Sequence, residues 1–143
     1  MKKIIIIFVL LFYNLFAIDK NSTLKIYNKV LTSIFKQQVP IIYITNREYR
    51  DILRYSNKIK ISDNPNKAIL AIVTTKDEID KIKHINPNII IFATKEKLLF
   101  DNQSVIGAFY WKKGRSQLIF IKDRLDRYHI QLPDEYNQFI IEL

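Results

Sequence analysis

The sequence contains no cysteine, and its only two glycines, Gly107 and Gly114, lie in the last third of the chain. The lack of cysteine excludes disulfide bonds and thiolate metal sites, so the fold must be stabilised by packing alone. Phosphate-binding loops and the dinucleotide-binding fingerprint need glycines directly after an early strand, and none precedes Gly107. An alternation of strands and helices in this chain therefore does not by itself imply a nucleotide site.

The sequence also has little of what catalysis or metal binding requires. Asp80 precedes His84 at helical spacing, but neither His84 nor His129 has the set of ligands that a metal site needs. No serine lies in a nucleophile-elbow motif. The acidic pair 134–135 follows a proline, which is typical of a helix start rather than of paired acid and base catalysts. We therefore expect no catalytic residues, no bound metal and no cofactor.

The N-terminus has the three parts of a secretory signal peptide. Lys2 and Lys3 are followed by ten apolar residues, Ile4–Tyr13, and a small residue, Ala17, comes shortly after them. This run is shorter than the roughly 20 residues that span a bilayer, and it fits a signal-peptide core of about 7–15 residues. We predict a signal peptide over residues 1–17, cleaved near Ala17, and one periplasmic α/β domain over residues 18–143. The alternative is an uncleaved anchor.

The net charge is +9, and it is +7 without Lys2 and Lys3. An excess of basic over acidic residues is typical of many nucleic-acid-binding proteins. Export argues against that class, and the positive charges are dispersed, with no block longer than Lys112-Lys113. We therefore predict no nucleic-acid partner. Most of this charge is solvated surface, and the remainder can attract an acidic partner or anionic lipid headgroups.

The middle of the chain alternates between strand and helix patterns. Continuous apolar runs predict strands buried on both faces at 41–44, 68–73 and 89–92. Capping-box patterns, Thr45–Glu48 and Thr75–Glu78, predict the starts of the helices between them. This order predicts right-handed crossovers and a three-layer α/β sandwich with a mostly parallel sheet.

The two ends of the domain extend this core. Ser22 and Thr23 are predicted N-caps of an amphipathic first helix. Two strand runs, 105–111 and 116–121, are joined by a short loop that contains Gly114, so we predict that the sheet ends in an antiparallel hairpin. A last helix is predicted behind Pro133, with Ile140 among its inward-facing residues.

Aromatic and basic residues are most concentrated in one part of the chain, where the aromatic stretch 109–111 is followed by three basic residues. Strand alternation places Trp111 on the same face as Phe109. One interpretation is a sheet face that the last helix covers. The other is a hairpin tip that contacts a partner or a membrane interface. On the second interpretation the partner-binding residues are Trp111, Lys112, Lys113 and Arg115.

The stretch 88–141 resembles the end of the YfiR-like (DUF4154) family of small periplasmic proteins. The resemblance lies in the order of its elements rather than in one strong motif. A strand and a glycine-bearing hydrophobic strand are followed by a basic hairpin, a phenylalanine-bearing strand and two short helical segments. The matching residues are Ile89–Phe92, Gly107–Phe109, Lys113–Arg115, Leu118–Ile121, Leu125–Ile130 and Tyr136–Ile140. The cysteines typical of the family are absent from this chain.

This resemblance implies a non-enzymatic periplasmic regulator. Such a protein binds and modulates an inner-membrane signalling partner, either a diguanylate cyclase or a sensor kinase. A homodimer is compatible with this role. The alternative is a periplasmic ligand-binding module that serves a sensor or an uptake system.

Overall fold

The computed structural model describes residues 19–36 and 38–143. Its strands are β1 (Ile41–Ile44), β2 (Lys60–Ser62), β3 (Leu70–Val73), β4 (Ile90–Ala93), β5 (Val105–Lys112), β6 (Arg115–Ile121) and β7 (Ile140–Ile141). Its α-helices are α1 (Lys20–Ile34), α2 (Arg47–Leu53), α3 (Lys76–Ile85), α4 (Glu96–Asp101) and α5 (Lys122–Arg127), and short 3₁₀ helices cover Pro65–Lys67 and Asp134–Phe139. Within these ranges no helix combines the length and the apolar character needed to cross a membrane.

The seven strands form one sheet in the order β2-β1-β3-β4-β5-β6-β7. The first five strands in this order are parallel to one another, and β5 and β6 form an antiparallel hairpin. The predicted α/β fold with a mostly parallel sheet is therefore confirmed. The sheet does not end at the hairpin, however, because β7 pairs in parallel with the last two residues of β6.

Helices cover both faces of the sheet, which gives the fold its three layers. One face packs against α1 and α2 through a core rich in aromatic side chains, with Tyr27 of α1 placed edge-on against Phe92 and Phe109. The opposite face packs against Ile79 and Ile82 of α3 and against α4. Successive residues of β3 and β4 belong alternately to the two cores, so these strands are apolar at every position.

The first helix starts one turn earlier than predicted. Its N-cap is Asp19, whose carboxylate accepts hydrogen bonds from the backbone N–H of Ser22 at 3.1 Å and from its hydroxyl at 2.9 Å. These bonds stabilise the charged form, the Ser22 N–H most of all, and lower the pKa of Asp19. The predicted caps Ser22 and Thr23 are thus wrong, and Thr23 is buried inside the helix. The predicted signal peptide lies outside the described residues.

The two predicted capping boxes behave differently. Thr75 and Glu78 form the reciprocal pair of hydrogen bonds at the start of α3, as predicted. At the start of α2 the cap is instead Asn46, which accepts from the backbone N–H of Tyr49. An asparagine caps a helix at least as well as a threonine, which leaves the side chain of Thr45 free for another contact.

The segment behind Pro133 is helical, as predicted, but the inclusion of Ile140 in that helix is wrong. Asp134–Phe139 forms a 3₁₀ helix, and Ile140 then belongs to β7. The β-branched pair of isoleucines at 140–141 suits a strand, since two heavy atoms on Cβ disfavour helix. Tyr136 of the 3₁₀ helix is buried in the core.

Candidate functional site

The hairpin turns through only two residues, Lys113 and Gly114, with φ angles of +52° and +75°. Positive φ at both central positions defines a type I′ turn, whose twist matches that of the flanking strands. The strands are therefore one residue longer than predicted on each side, and Lys112 pairs with Arg115. The tip therefore continues the paired strands with no further loop residues.

The structure divides the four predicted partner-binding residues between the two faces and the tip. Trp111 faces α1 and is partly buried, with its ring edge-on to Phe109 at a centroid distance of 5.8 Å. Lys112 is exposed, and its Nζ lies 3.6 Å from a carboxylate oxygen of Glu96. Trp111 thus lies on the sheet face that carries α1, whereas the covered-face interpretation named the last helix as the cover, and Lys112 belongs to the α4 side.

Lys113 and Arg115 are exposed, and neither forms an ion pair with any residue that the structure describes. They form the basic tip of the hairpin. Just below it, burial first and the Glu96 carboxylate second raise the pKa of Tyr110, so that side chain is neutral over the physiological range. Among the described residues, the two charges at the tip that lack an ion pair, those of Lys113 and Arg115, are therefore both positive.

An apolar groove of about 320 Å³ lies beside the hairpin, between α1, the start of β6 and the 3₁₀ helix 134–139. We call it the β6 groove. The side chains that give it its apolar character are Ile26, Val30, Phe109, Leu118 and Phe139.

Polar contacts join the two walls of the β6 groove. Lys29 Nζ lies 3.5 Å from a carboxylate oxygen of Glu135, but both side chains are exposed, so water and salt weaken this ion pair. The hydroxyl oxygens of Ser33 and Tyr136 are 2.9 Å apart, and Tyr136 also donates to the backbone carbonyl of Lys29 at 3.3 Å. The walls of the groove are thus held by the buried tyrosine rather than by the ion pair.

The outer edge of β6 is open next to this groove. Only Phe120 and Ile121 pair with β7. In a hairpin with a two-residue loop, the residues that flank the loop form a hydrogen-bonded pair, and such pairs alternate along the ladder. Arg115 and Gln117 therefore bond to β5, whereas Ser116 and Leu118 direct their N–H and C=O groups outward.

The place where open α/β sheets commonly bind ligands is filled by the protein itself. Ligands of such sheets lie at the carboxyl ends of the strands where the strand order reverses, which here is between β1 and β3. The Glu78 carboxylate sits there and accepts from the Thr45 hydroxyl and the Thr74 backbone N–H, each at 2.6 Å. A carboxylate of this chain thus uses the hydrogen-bond donors at this point of the sheet.

The histidines stand apart from this end of the molecule. His84 and His129 are both exposed, on α3 and in the segment after α5. Among residues 19–36 and 38–143, no group of three or more histidine, aspartate or glutamate side chains is close enough to hold a metal ion.

Sequence reasoning missed the β6 groove and the open edge. The groove is assembled from segments about a hundred residues apart, and no local pattern joins Ile26 to Phe139. The edge depends on β7 being only two residues long, which leaves Ser116 and Leu118 without a neighbouring strand. The one local signal was the single glycine of a very short loop, which predicts a hairpin but not the length of its neighbour.

No family model and no curated protein matches this sequence. Its fold is similar to the crystal structure of a conserved domain protein from Vibrio cholerae O1 biovar El Tor strain N16961, with a TM-score of 0.61 and 10% sequence identity. The alignment covers 83% of this chain and 59% of that one, so this chain spans little more than half the length of its structural neighbour. At this identity the likeness establishes the fold alone.

Proposed function

We propose that this protein is an exported, non-enzymatic regulator that binds a membrane-bound signalling partner, a diguanylate cyclase or a sensor kinase, through the hairpin end of its sheet. The observation that carries the proposal is the basic tip: Lys113 and Arg115 are exposed and without ion pairs among the described residues, at a two-residue type I′ turn. The family resemblance supplies the kind of partner.

The physical properties of the tip suit protein recognition. Unpaired positive charges accelerate encounter with an acidic surface and favour one orientation of approach. The type I′ turn fixes the backbone position of Arg115 before binding, which reduces the backbone entropy lost in the complex. An arginine can also form two parallel hydrogen bonds with one carboxylate.

Crosslinking in intact cell envelopes tests this proposal. We expect the native chain to crosslink to an inner-membrane protein and Arg115→Ala to weaken that complex about thirtyfold, because truncation of an anchor residue costs about 2 kcal/mol. Thermal stability should stay nearly unchanged. Arg47→Ala, an equally exposed arginine on α2, is the matched control and should bind as the native chain does.

Equal binding by Arg115→Ala and the native chain would refute the role of the tip. Trp111→Ala separates recognition from folding. Because the Trp111 ring packs on Phe109, we expect the main effect of this substitution to be a loss of folding stability rather than of partner recognition.

The β6 groove favours a second function, binding of a small ligand. Its volume of about 320 Å³ and its apolar lining fit a small amphipathic molecule, whose polar part could contact Lys29 and Glu135 in the same lining. Native mass spectrometry of protein taken from the periplasm would then show a stoichiometric added mass that Leu118→Trp removes. A native mass equal to that of the mature chain alone would speak against this function.

A further inference from the structure

We propose that the outer edge of β6 binds an extended, acidic segment of the partner protein by strand addition, with alternate side chains of that segment inserted in the β6 groove. This inference rests on the proposed function, and it names the part of the partner that is recognised.

The first observation is the set of backbone groups that the sheet leaves unpaired. Ser116 and Leu118 direct N–H and C=O groups away from β5, in line with Phe120, which pairs with β7. No other described residue bonds to them through its backbone. An added strand would continue the ladder that β7 begins, and such main-chain hydrogen bonds are the source of affinity in strand addition.

The other edge of the sheet is protected in ways that the β6 edge is not. β2 has only three residues, and it carries an exposed lysine, Lys60, of the kind that discourages pairing at an edge. The chain turns away directly after it, with Asp63 bonded to Arg50 at 2.6 Å. The β6 edge has no lysine or proline between Arg115 and Ile121.

The second observation is the groove under the free edge. Ser116, Leu118 and Phe120 lie on the sheet face that carries α1, since they pair with residues of that face. Alternate residues of an added strand would point to the same side, where Ile26 and Phe139 line the β6 groove. Small and medium apolar side chains fill such a space without displacing Tyr136.

The third observation is the charge beside the edge. Arg115 begins β6 and Lys113 precedes it, both exposed and without ion pairs within the described residues. Side chains of the added strand that point away from the groove would lie beside Arg115. Carboxylates at those positions complement the tip, which makes an alternation of apolar and acidic residues the matching segment.

A partner segment suits this charge better than a second copy of the chain does. Two copies would bring together chains that each carry +7 without Lys2 and Lys3. In the edge itself Arg115 is the only charged residue, so a second β6 supplies no carboxylate to it. The mass of the protein in solution, measured by light scattering, is therefore part of the test.

Amide hydrogen exchange, measured by NMR on the native protein, tests strand addition directly. In the free protein we expect Ser116 and Leu118 to exchange fast and Gln117 and Ile119 to exchange slowly, because only the latter bond to β5. The probe is a soluble peptide of alternating valine and glutamate, about eight residues long, the length of an ordinary strand. It should slow exchange at Ser116 and Leu118 by at least tenfold.

Matched variants separate the backbone from the side chain. Ser116→Pro removes one outward N–H and keeps the β5–β6 ladder, and it should weaken peptide binding about tenfold, the value of one main-chain hydrogen bond. Ser116→Ala keeps the N–H and should bind the peptide as the native chain does. A peptide of alternating valine and lysine should bind at least tenfold more weakly than the acidic one.

Unchanged exchange at Ser116 and Leu118 with the acidic peptide overturns strand addition, and so does slow exchange at both in a free protein that light scattering shows to be a dimer. An equal loss of peptide affinity in Ser116→Pro and Ser116→Ala also overturns strand addition. If the envelope partner still depends on Arg115 while these tests fail, the proposed function stands and only the mode of binding is wrong.

Discussion

The hydroxyl of Thr45 donates a 2.6 Å hydrogen bond to the carboxylate of Glu78, and this bond joins the end of β1 to the start of α3 at the point where the strand order reverses. The same carboxylate closes the capping box of α3 and accepts from the backbone N–H of Thr74. One side chain therefore stabilises a helix start and the sheet at its switch point.

We expect Glu78→Ala to lower the free energy of unfolding by about 2 kcal/mol, because it removes the cap partner and leaves several donors without an acceptor. Urea unfolding measures the change. Asp77→Ala is the control, since Asp77 is an exposed acid in the same helical turn without a side-chain hydrogen bond within the described ranges. A loss of equal size in both variants would show that charge at the helix start, rather than the contacts of Glu78, is responsible.

Arg124 is the buried cation of this fold. Its Nη1 donates to the backbone carbonyls of Leu99, Asn102 and Val105 at 2.5, 2.9 and 2.8 Å, and it ties α5 to the end of α4 and the start of β5. Burial is the main cause that lowers its pKa, with the positive charge of Arg127 second.

We expect Arg124→Met to cost about 3 kcal/mol of stability, because three carbonyls lose their donor while the packing volume is kept. Denaturant unfolding followed by circular dichroism gives the value. Arg127→Met serves as control: Arg127 is exposed and donates one 3.2 Å bond to Gln103, so its loss should stay under about 1 kcal/mol. Unchanged stability in Arg124→Met would mean that water replaces the guanidinium without cost.

Tyr27 is almost fully buried, and its hydroxyl has no hydrogen-bond partner among the described residues. We expect Tyr27→Phe to raise the free energy of unfolding by about 1 kcal/mol, because a buried unpaired hydroxyl is costly. Tyr136→Phe is the matched control. It removes a hydroxyl that bonds to Ser33 and to the carbonyl of Lys29, so it should destabilise the fold. A destabilised Tyr27→Phe would contradict the prediction.

The same residue predicts a dependence on alkaline pH. Burial, and to a smaller extent the neighbouring Tyr49, raise the pKa of Tyr27 well above its ordinary value. The folded state then holds this proton when the unfolded chain has lost it. Stability should be full below about pH 10 and fall as the pH rises from there towards the raised pKa. The urea concentration at the midpoint of unfolding should be measured below and above about pH 10. It should fall less steeply with rising pH for Tyr27→Phe than for the native chain.

Much of the fold follows from local patterns, and the parts that do not share a physical cause. The strands around residues 42, 71 and 91 are apolar at every position, and the capping box of α3 lies within four residues, so both were predicted. Asn46 caps α2, and Thr45 instead bonds to Glu78, a distant acceptor that no local motif reveals. Arg124 and β7 were missed for the same reason, since their partners lie in other segments of the chain.

The placement of the site residues shows the same limit. Alternation correctly placed Trp111 on the face of Phe109, and the glycine of the loop located the turn. Whether that face is covered, and by what, depends on α1 and on the 3₁₀ helix 134–139, which lie about eighty residues before the hairpin and about twenty after it.

The contacts of α1 also determine when it can become buried. Its partners include Phe109 and Tyr136, and the bond between Ser33 and Tyr136 spans 103 positions of the chain. Closing so long a loop is slow compared with forming the local strand–helix units of residues 41–101. In a chain that is still growing, the part of α1 that packs on Phe109 and Tyr136 thus stays uncovered until the hairpin and the 3₁₀ helix 134–139 have been made. Among the described residues α1 precedes every strand of the sheet, yet its contacts are the last to be completed.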